Sequence, residues 1–396
     1  MTNHEANSDG IHRWERFYRT SLNQTPACSH PPCVDFDFQI FCRQPVGGVS
    51  RYFASLASEL VALGSFDVRI IAPLHVNEYL RRLEGVPIHG RAIKRPPYSA
   101  RLLTLVNLAL LKCSRPADRG ALVHQTFYNR SLLANVGRPV VTTIHDLIHE
   151  ARPQEFSPAD NTIRHKREAI LRADRIICVS EYTKRDLIER YGVSEDRVST
   201  IYLGTSLAAT DGRSLKSPLE APYLLYVGRR SGYKNFRSAL TALTVDKNIL
   251  SDFRLVCFGG GPPTRADRSL IRKLHIPEGR VLFISGDDGR LAEYYRHARA
   301  LIFPSLHEGF GLPVLEAMSL GCPVICSATT SVPEVGGDAA VYFDPTNVCN
   351  VGEVISRTVY DSKMLADLKR RGQERARLFS WRKCAIETAE IYKSLF

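Results

Sequence analysis

From Val34 onward the chain alternates short runs of β-branched and aromatic residues with amphipathic stretches, and it does so twice. Parallel strands need a crossover between them, and helical crossovers cover both faces of the sheet, so this alternation dictates an α/β fold with parallel sheets. The first series runs through Val34–Phe41, an amphipathic Val49–Leu63, Asp67–Ile71, Ala121–His124, Pro139–Ile144, Arg175–Val179 and an amphipathic Glu181–Tyr191. Between Leu203 and Pro222 the pattern lapses into glycines, serines and prolines, a composition suited to a connector. A second series follows, with strands expected at Tyr223–Val227, Phe253–Phe258, Arg280–Ile284, Ala300–Phe303 and Pro323–Cys326. The organisation is two doubly wound Rossmann-like domains, 33–204 and 221–396, facing across a cleft, with a linker at 205–220 and a loosely ordered extension at 1–32. The C-terminal helices, anchored by Trp381 and Tyr392, are free to pack back on the N-terminal domain.

A net charge of +12 favours an anionic partner. The hydrophobic fraction of 44% excludes wholesale disorder. No run approaches the roughly 20 apolar residues needed to cross a bilayer, and the N-terminus lacks a secretory pattern. The ten cysteines contain no C-x-x-C pair and read as reduced thiols of a cytoplasmic protein. One stretch, Arg91 to Arg119, sets Arg91, Lys94, Arg95, Arg101, Lys112, Arg115 and Arg119 around the apolar run Leu102–Leu111. It reads either as a domain helix with solvated ends or as an amphipathic helix lying on an anionic membrane.

The densest chemical signal is Phe303-Pro-Ser-Leu-His-Glu-Gly-Phe-Gly-Leu-Pro-Val-Leu-Glu316. A strand ends near Pro304, Gly309 and Gly311 let backbone approach a ligand closely, and Pro313 opens a helix. Bare amides of Gly309, Phe310, Gly311 and Leu312 and a helix N-terminus suit a diphosphate, while Glu308 and Glu316 are acceptors for sugar and ribose hydroxyls. A second post-strand loop, Gly228-Arg229-Arg230-Ser-Gly-Tyr-Lys234, places Arg229 and Lys234 at the same sheet edge, where two cations neutralise charge growing on a leaving diphosphate. Three tempting motifs fail: Asp35-Phe36-Asp37 is a chance D-x-D inside a strand near the domain edge, His145 and His149 lack a third metal ligand, and Phe258-Gly-Gly-Gly-Pro262 is no dinucleotide fingerprint.

The Glu308-x7-Glu316 pair, the Gly-Arg…Tyr-Lys-Asn loop and the Gly259–Gly261 turn resemble the retaining family 4 (group 1) glycosyltransferases of the GT-B fold, across about Pro222–Asp344. The first half resembles them more weakly, through Val46-Gly-Gly-Val-Ser-Arg-Tyr52 and Thr143-Ile-His-Asp-Leu147, which are mannosyltransferase-like. The resemblance implies that Gly228, Arg229 and Lys234 bind the donor diphosphate, that Glu316 holds the ribose, and that Glu308 with the Gly309–Gly311 backbone holds the transferred sugar. Gly47 and Gly48 then let the N-terminal domain approach the phosphates or acceptor, and His145 touches the sugar from across the cleft. It further implies a nucleotide-sugar donor, with GDP-mannose favoured over UDP-glucose, a saccharide or lipid-linked saccharide acceptor, no cofactor and no metal. The setting implied is bacterial surface polysaccharide or glycolipid synthesis at the inner face of the plasma membrane. Competing readings are a catalytically silent sugar-nucleotide-binding subunit and a basic nucleic-acid-binding protein, the latter without any recognition motif of the usual modules. A pyridoxal-dependent phosphorylase lacks its lysine motif.

Overall fold

The computed structural model describes residues 31–94, 100–113, 121–129, 133, 137–207 and 216–396. The extension at 1–30, the linker residues 208–215, and Arg95, Arg115 and Arg119 lie outside the described residues. The first sheet contains β1 (Cys33–Asp37), β2 (Asp67–His75), β3 (Ile88–Ala92), β4 (Leu122–Gln125), β5 (Val140–Ile144), β6 (Arg175–Cys178) and β7 (Val198–Thr200). Their order is β3-β2-β1-β4-β5-β6-β7, with every pairing parallel. The second contains β8 (Tyr223–Val227), β9 (Arg254–Phe258), β10 (Val281–Ile284), β11 (Ala300–Phe303), β12 (Val324–Ser327) and β13 (Ala340–Phe343), ordered β10-β9-β8-β11-β12-β13 and again parallel. In both sheets the order reverses beside the first strand. Loops leaving the carboxyl ends of strands at such a reversal diverge and open a crevice.

β3, β7 and β13 were not expected from sequence. β3 is an edge strand whose residues are mostly exposed, and β7 has only three residues, so neither carries a usable hydrophobic pattern. The first strand also stops four residues earlier than expected, at Asp37. Its carboxylate turns the chain by accepting from Gln39 Nε2 at 2.7 Å and Thr126 Oγ1 at 2.6 Å. The placement of Asp35 and Asp37 near the domain edge is corrected as well: β1 lies between β2 and β4, and both carboxylates are buried. Asp35 pairs with Arg69 at 2.9 Å and Arg138 at 3.0 Å. A buried carboxylate persists when cations compensate its lost hydration, and here that is its role.

The basic stretch is not one element. Arg91 belongs to β3, and the helix spans Ala100–Cys113. Leu103, Asn107 and Leu111 form its buried side, and Asn107 exchanges hydrogen bonds with the Leu74 backbone at 2.7 and 2.9 Å. Leu102, Leu105 and Leu110 face outward, 62%, 64% and 40% exposed, beside the exposed Arg101 and Lys112.

The helix Trp381–Lys393 leaves the second sheet and packs along the helix Gly48–Leu63 of the first. Trp381 Nε1 donates to Ser206 Oγ at 2.9 Å, and a Cβ on Gly204 would lie 2.2 Å from the Trp381 backbone nitrogen. The two chain crossings between the sheets therefore touch at Gly204. Farther along, the Tyr392 hydroxyl meets His124 Nδ1 at 2.5 Å, both side chains fully buried, and burial lowers the His124 pKa to about 3, so the ring is neutral. Removing the hydroxyl orphans a buried polar atom, and Tyr392→Phe is expected to cost about 1–3 kcal/mol. A urea-unfolding midpoint unchanged in that variant would show that the contact contributes nothing.

Candidate active site

The two loops singled out by sequence leave the adjacent strands β8 and β11, whose register aligns Leu224 with Ala300 and Leu225 with Leu301. Their positions are tied together by backbone groups. Asn235, at φ 54°, closes the first loop and donates its side-chain amide to Pro304 O at 3.1 Å and Pro345 O at 2.9 Å. Leu306 N donates to Tyr233 O at 2.7 Å. This bracing brings Lys234 Nζ to 2.6 Å from Glu308 Oε1, with side-chain exposures of 17% and 12%. Burial opposes the lysine's charge, but Glu308 and then Tyr233 more than offset it, and its pKa is raised.

The two consecutive arginines separate. Arg229 is exposed, and its guanidinium makes no hydrogen bond or ion pair among the described residues. Arg230 turns inward, bonding Asp267 at 3.1 Å, Gly259 O at 2.8 Å and Gly261 O at 3.0 Å, so it locks the glycine turn after β9. Nothing in the pair Arg229-Arg230 distinguishes them before folding. Gly228, at φ 125°, starts this loop with its amide on Phe258 O at 3.0 Å.

The Glu308 loop is held from behind by Thr330 Oγ1, which accepts from Glu308 N at 3.0 Å, and by Ser331 Oγ, which donates to Glu308 O at 2.9 Å. In front it meets the other domain. A Cβ on Gly309 would fall 1.6 Å from His145 O, a distance only glycine tolerates. Thr183 Oγ1 donates to Gly309 O at 3.2 Å, again across the cleft. Phe310 is an anchor, buried against Tyr202 and Phe379 at 6.1 and 5.9 Å between centroids, so only its backbone is available to a ligand. Gly311, at φ 108°, caps the helix Leu312–Ser319, with Pro313 in its first turn. Leu312 lies against Gly48, where a Cβ would stand 3.4 Å from Leu312 Cδ1. Gly47 is extended backbone, and a Cβ there would press on the Gln44 side chain.

His145 sits at the end of β5, against Tyr52 and Phe53 at 5.1 and 5.9 Å. Burial lowers its pKa to about 4, and its Nε2 is buried without a hydrogen-bond partner. A neutral imidazole with one unpartnered nitrogen is equipped to meet a hydroxyl. Its turn rests on Lys166, which is fully buried and donates to Asp146 O at 2.9 Å and Glu150 Oε2 at 2.8 Å. His149 instead stacks on Phe156 at 3.8 Å and faces Asp160. Glu316 does not cap its own helix. Its carboxylate accepts from Arg51 at 2.6 Å and Tyr295 at 3.0 Å, and burial raises its pKa. Lys234, Glu308, Gly309 and His145 thus converge, with Gly48 and Leu312 also in contact. Arg51, Lys166, Arg230 and the Thr330-Ser331 brace were not anticipated from sequence.

The family model for Glycosyltransferase Family 4 matches residues 46–209, and that for Glycosyl transferases group 1 matches 209–375. The O-antigen chain mannosyltransferase B of Escherichia coli is 31% identical over 64% of this chain and 70% of its own length. The chain belongs to the family 4 glycosyltransferases. A second Escherichia coli relative of this family-4 enzyme, the serotype-specific mannosyltransferase WbdA, is 28% identical over 69% of the chain, which spans only 36% of that longer protein. Among solved structures, HepE of Anabaena in complex with UDP and glucose superposes with a TM-score of 0.71 at 19% identity, covering 92% of this chain and 100% of that one. The glycosyltransferase therefore has the GT-B fold. Gly309→Ala in this enzyme should separate the Glu308 loop from the His145 turn. A misplacement of about 1 Å costs on the order of 10²-fold in turnover, and circular dichroism should show the fold retained. Wild-type turnover by Gly309→Ala would remove this contact from the active arrangement.

Proposed function

We propose that the enzyme moves a hexosyl group, mannosyl by preference, from a nucleoside diphosphate sugar to an acceptor hydroxyl, with retention and without a metal ion. The observation carrying this reading is the Lys234–Glu308 pair at 2.6 Å beside the Gly309 backbone, at the carboxyl ends of β8 and β11. In this pair the two charges neutralise each other. A diphosphate arriving at the loop amides would recruit Lys234 and the exposed Arg229, leaving Glu308 to accept sugar hydroxyls. Glu308 is engaged with Lys234, and Glu316 with Arg51 and Tyr295, which favours attack from the face the diphosphate leaves over a covalent carboxylate intermediate. The anomeric carbon–oxygen bond to phosphate breaks, the acceptor oxygen bonds the same carbon, and the acceptor's proton passes to the departing phosphate oxygen. Lys234 and Arg229 act mainly on the charge that grows there.

The mannosyltransferase relatives favour mannose as the transferred sugar, and we take GDP-mannose as the donor, whereas the structural neighbour HepE was solved with UDP and glucose. The same relatives favour a saccharide or lipid-linked acceptor of the O-antigen kind. Product analysis with GDP-mannose and UDP-glucose decides between donors. Lys234→Ala should lower kcat by about 10²–10³-fold, the usual cost of losing one preorganised donor. Unaltered turnover would exclude Lys234 from the mechanism, and nucleotide binding with no glycosyl product from either donor would favour a non-catalytic subunit.

An acceptor on a lipid carrier needs a membrane-facing surface. No helix among the described residues is long and apolar enough to cross a membrane. The outward Leu102, Leu105 and Leu110 with Arg101 and Lys112 match an interfacial helix, with leucines in the headgroup boundary and cations on anionic lipid. Co-sedimentation with anionic vesicles should fall sharply in Leu102→Asp/Leu105→Asp, while turnover on a soluble acceptor stays unchanged. Equal sedimentation of the variant would place any membrane contact elsewhere.

A further inference from the structure

Arg51 follows the glycine pair by three residues and lies in the first turn of the helix Gly48–Leu63, but its side chain ends in the opposite domain. Nη1 donates to Glu316 Oε1 at 2.6 Å and Nη2 to Asp288 Oδ1 at 2.7 Å, while Nε donates to the Tyr79 hydroxyl at 3.1 Å. The guanidinium stacks 5.6 Å over the Tyr79 ring, and its exposure is 14%. Three of the five guanidinium N–H groups are thus committed, and two of their three acceptors lie across the cleft.

Seen from Glu316, the asymmetry is sharper. Its side chain is 6% exposed, and the groups facing it are Arg51, Tyr295 and Asp288. Tyr295 is neutral and donates to Oε2 at 3.0 Å, and Asp288 is a like charge. Among the described residues, the one cation in contact with this buried carboxylate belongs to the N-terminal domain. A carboxylate taken out of water needs a charge partner to stay ionised, and an ionised carboxylate is the stronger acceptor for hydroxyls. Oε1 and Oε2 each accept one bond, and a carboxylate has room for about four, so two hydroxyls can join without displacing Arg51.

We propose that Arg51 is a positioning residue that supplies, from across the cleft, the cation and geometry Glu316 needs to accept the donor's ribose hydroxyls. This rests on the reading of Glu316 as the ribose acceptor. Nucleotide capture by the C-terminal domain then depends on contact with the N-terminal one. When the domains part, Glu316 loses its cation, and the nucleotide's hold weakens at the moment product must leave.

The test is a double-mutant cycle on GDP and UDP binding by calorimetry between pH 5.5 and 8, using the full chain, Arg51→Met, Arg51→Lys, Glu316→Gln and Arg51→Met/Glu316→Gln. Glu316→Gln should weaken binding of the preferred nucleotide by about 10- to 100-fold at every pH, the range for losing hydrogen bonds to a charged group. Arg51→Met should approach that loss at low pH and recover as pH rises, because Glu316 without its cation is protonated more readily; Arg51→Lys should restore part of the affinity. In the Glu316→Gln background Arg51→Met should add little. A full additional loss there would mean that Arg51 binds nucleotide directly, and wild-type affinity across the pH range in Arg51→Met would mean that it positions nothing; either overturns the proposal. Unchanged binding by Glu316→Gln would instead defeat the ribose reading on which it stands.

Discussion

The arrangement depends on a contact between two backbones. Gly309 of the second domain lies so close to the His145 carbonyl of the first that no side chain fits between them. That approach brings the Glu308 loop, paired with Lys234, against the His145 turn, and elsewhere across the same cleft the Arg51 guanidinium meets Glu316. Other bonds span the cleft without entering it. Glu155 Oε2 accepts from Tyr233 N at 2.6 Å, and Glu334 accepts from the amides of Glu181 and Tyr182 at the start of a helix in the first domain. Each of these puts a carboxylate on backbone donors, a strong interaction that is lost as a unit when the domains separate.

Most charged side chains at the cleft are held in ion pairs. Lys234 answers Glu308, Arg51 answers Glu316 and Asp288, and Lys166 answers Glu150 behind the histidine turn. Arg229 is the exception, an exposed cation with no ion pair among the described residues. On the proposed reading, a dianionic ligand meets an exposed cation and draws a second from an existing pair, which favours discrimination over bare affinity.

Much of this was legible before folding because the signals were local. Parallel sheets follow from alternation of strand and helix patterns, and the two loops follow from glycines placed between a strand end and a helix start. What was illegible depends on partners far away in the chain. Arg51 is one of many arginines until Glu316, more than 260 positions later, is brought beside it. Lys166 stands in Arg164-His165-Lys166-Arg167, and only its phase with Ala169 and Ile170 on the buried face marks it as the inward one. The D-x-D of Asp35 and Asp37 reads from sequence as a chance pair near the domain edge because sequence does not tell that β1 is central; pairing with β2 and β4 buries both.

The central claim is that a diphosphate binds where the loops after β8 and β11 meet under the first domain. Hydrogen exchange with and without a nucleoside diphosphate sugar tests it directly. Amides of residues 228–235 and 308–312 should gain protection together, accompanied by the His145–Leu147 turn, because one ligand and one closure cover all three. Protection confined to a single one of these segments, or appearing only elsewhere in the chain, would contradict the account.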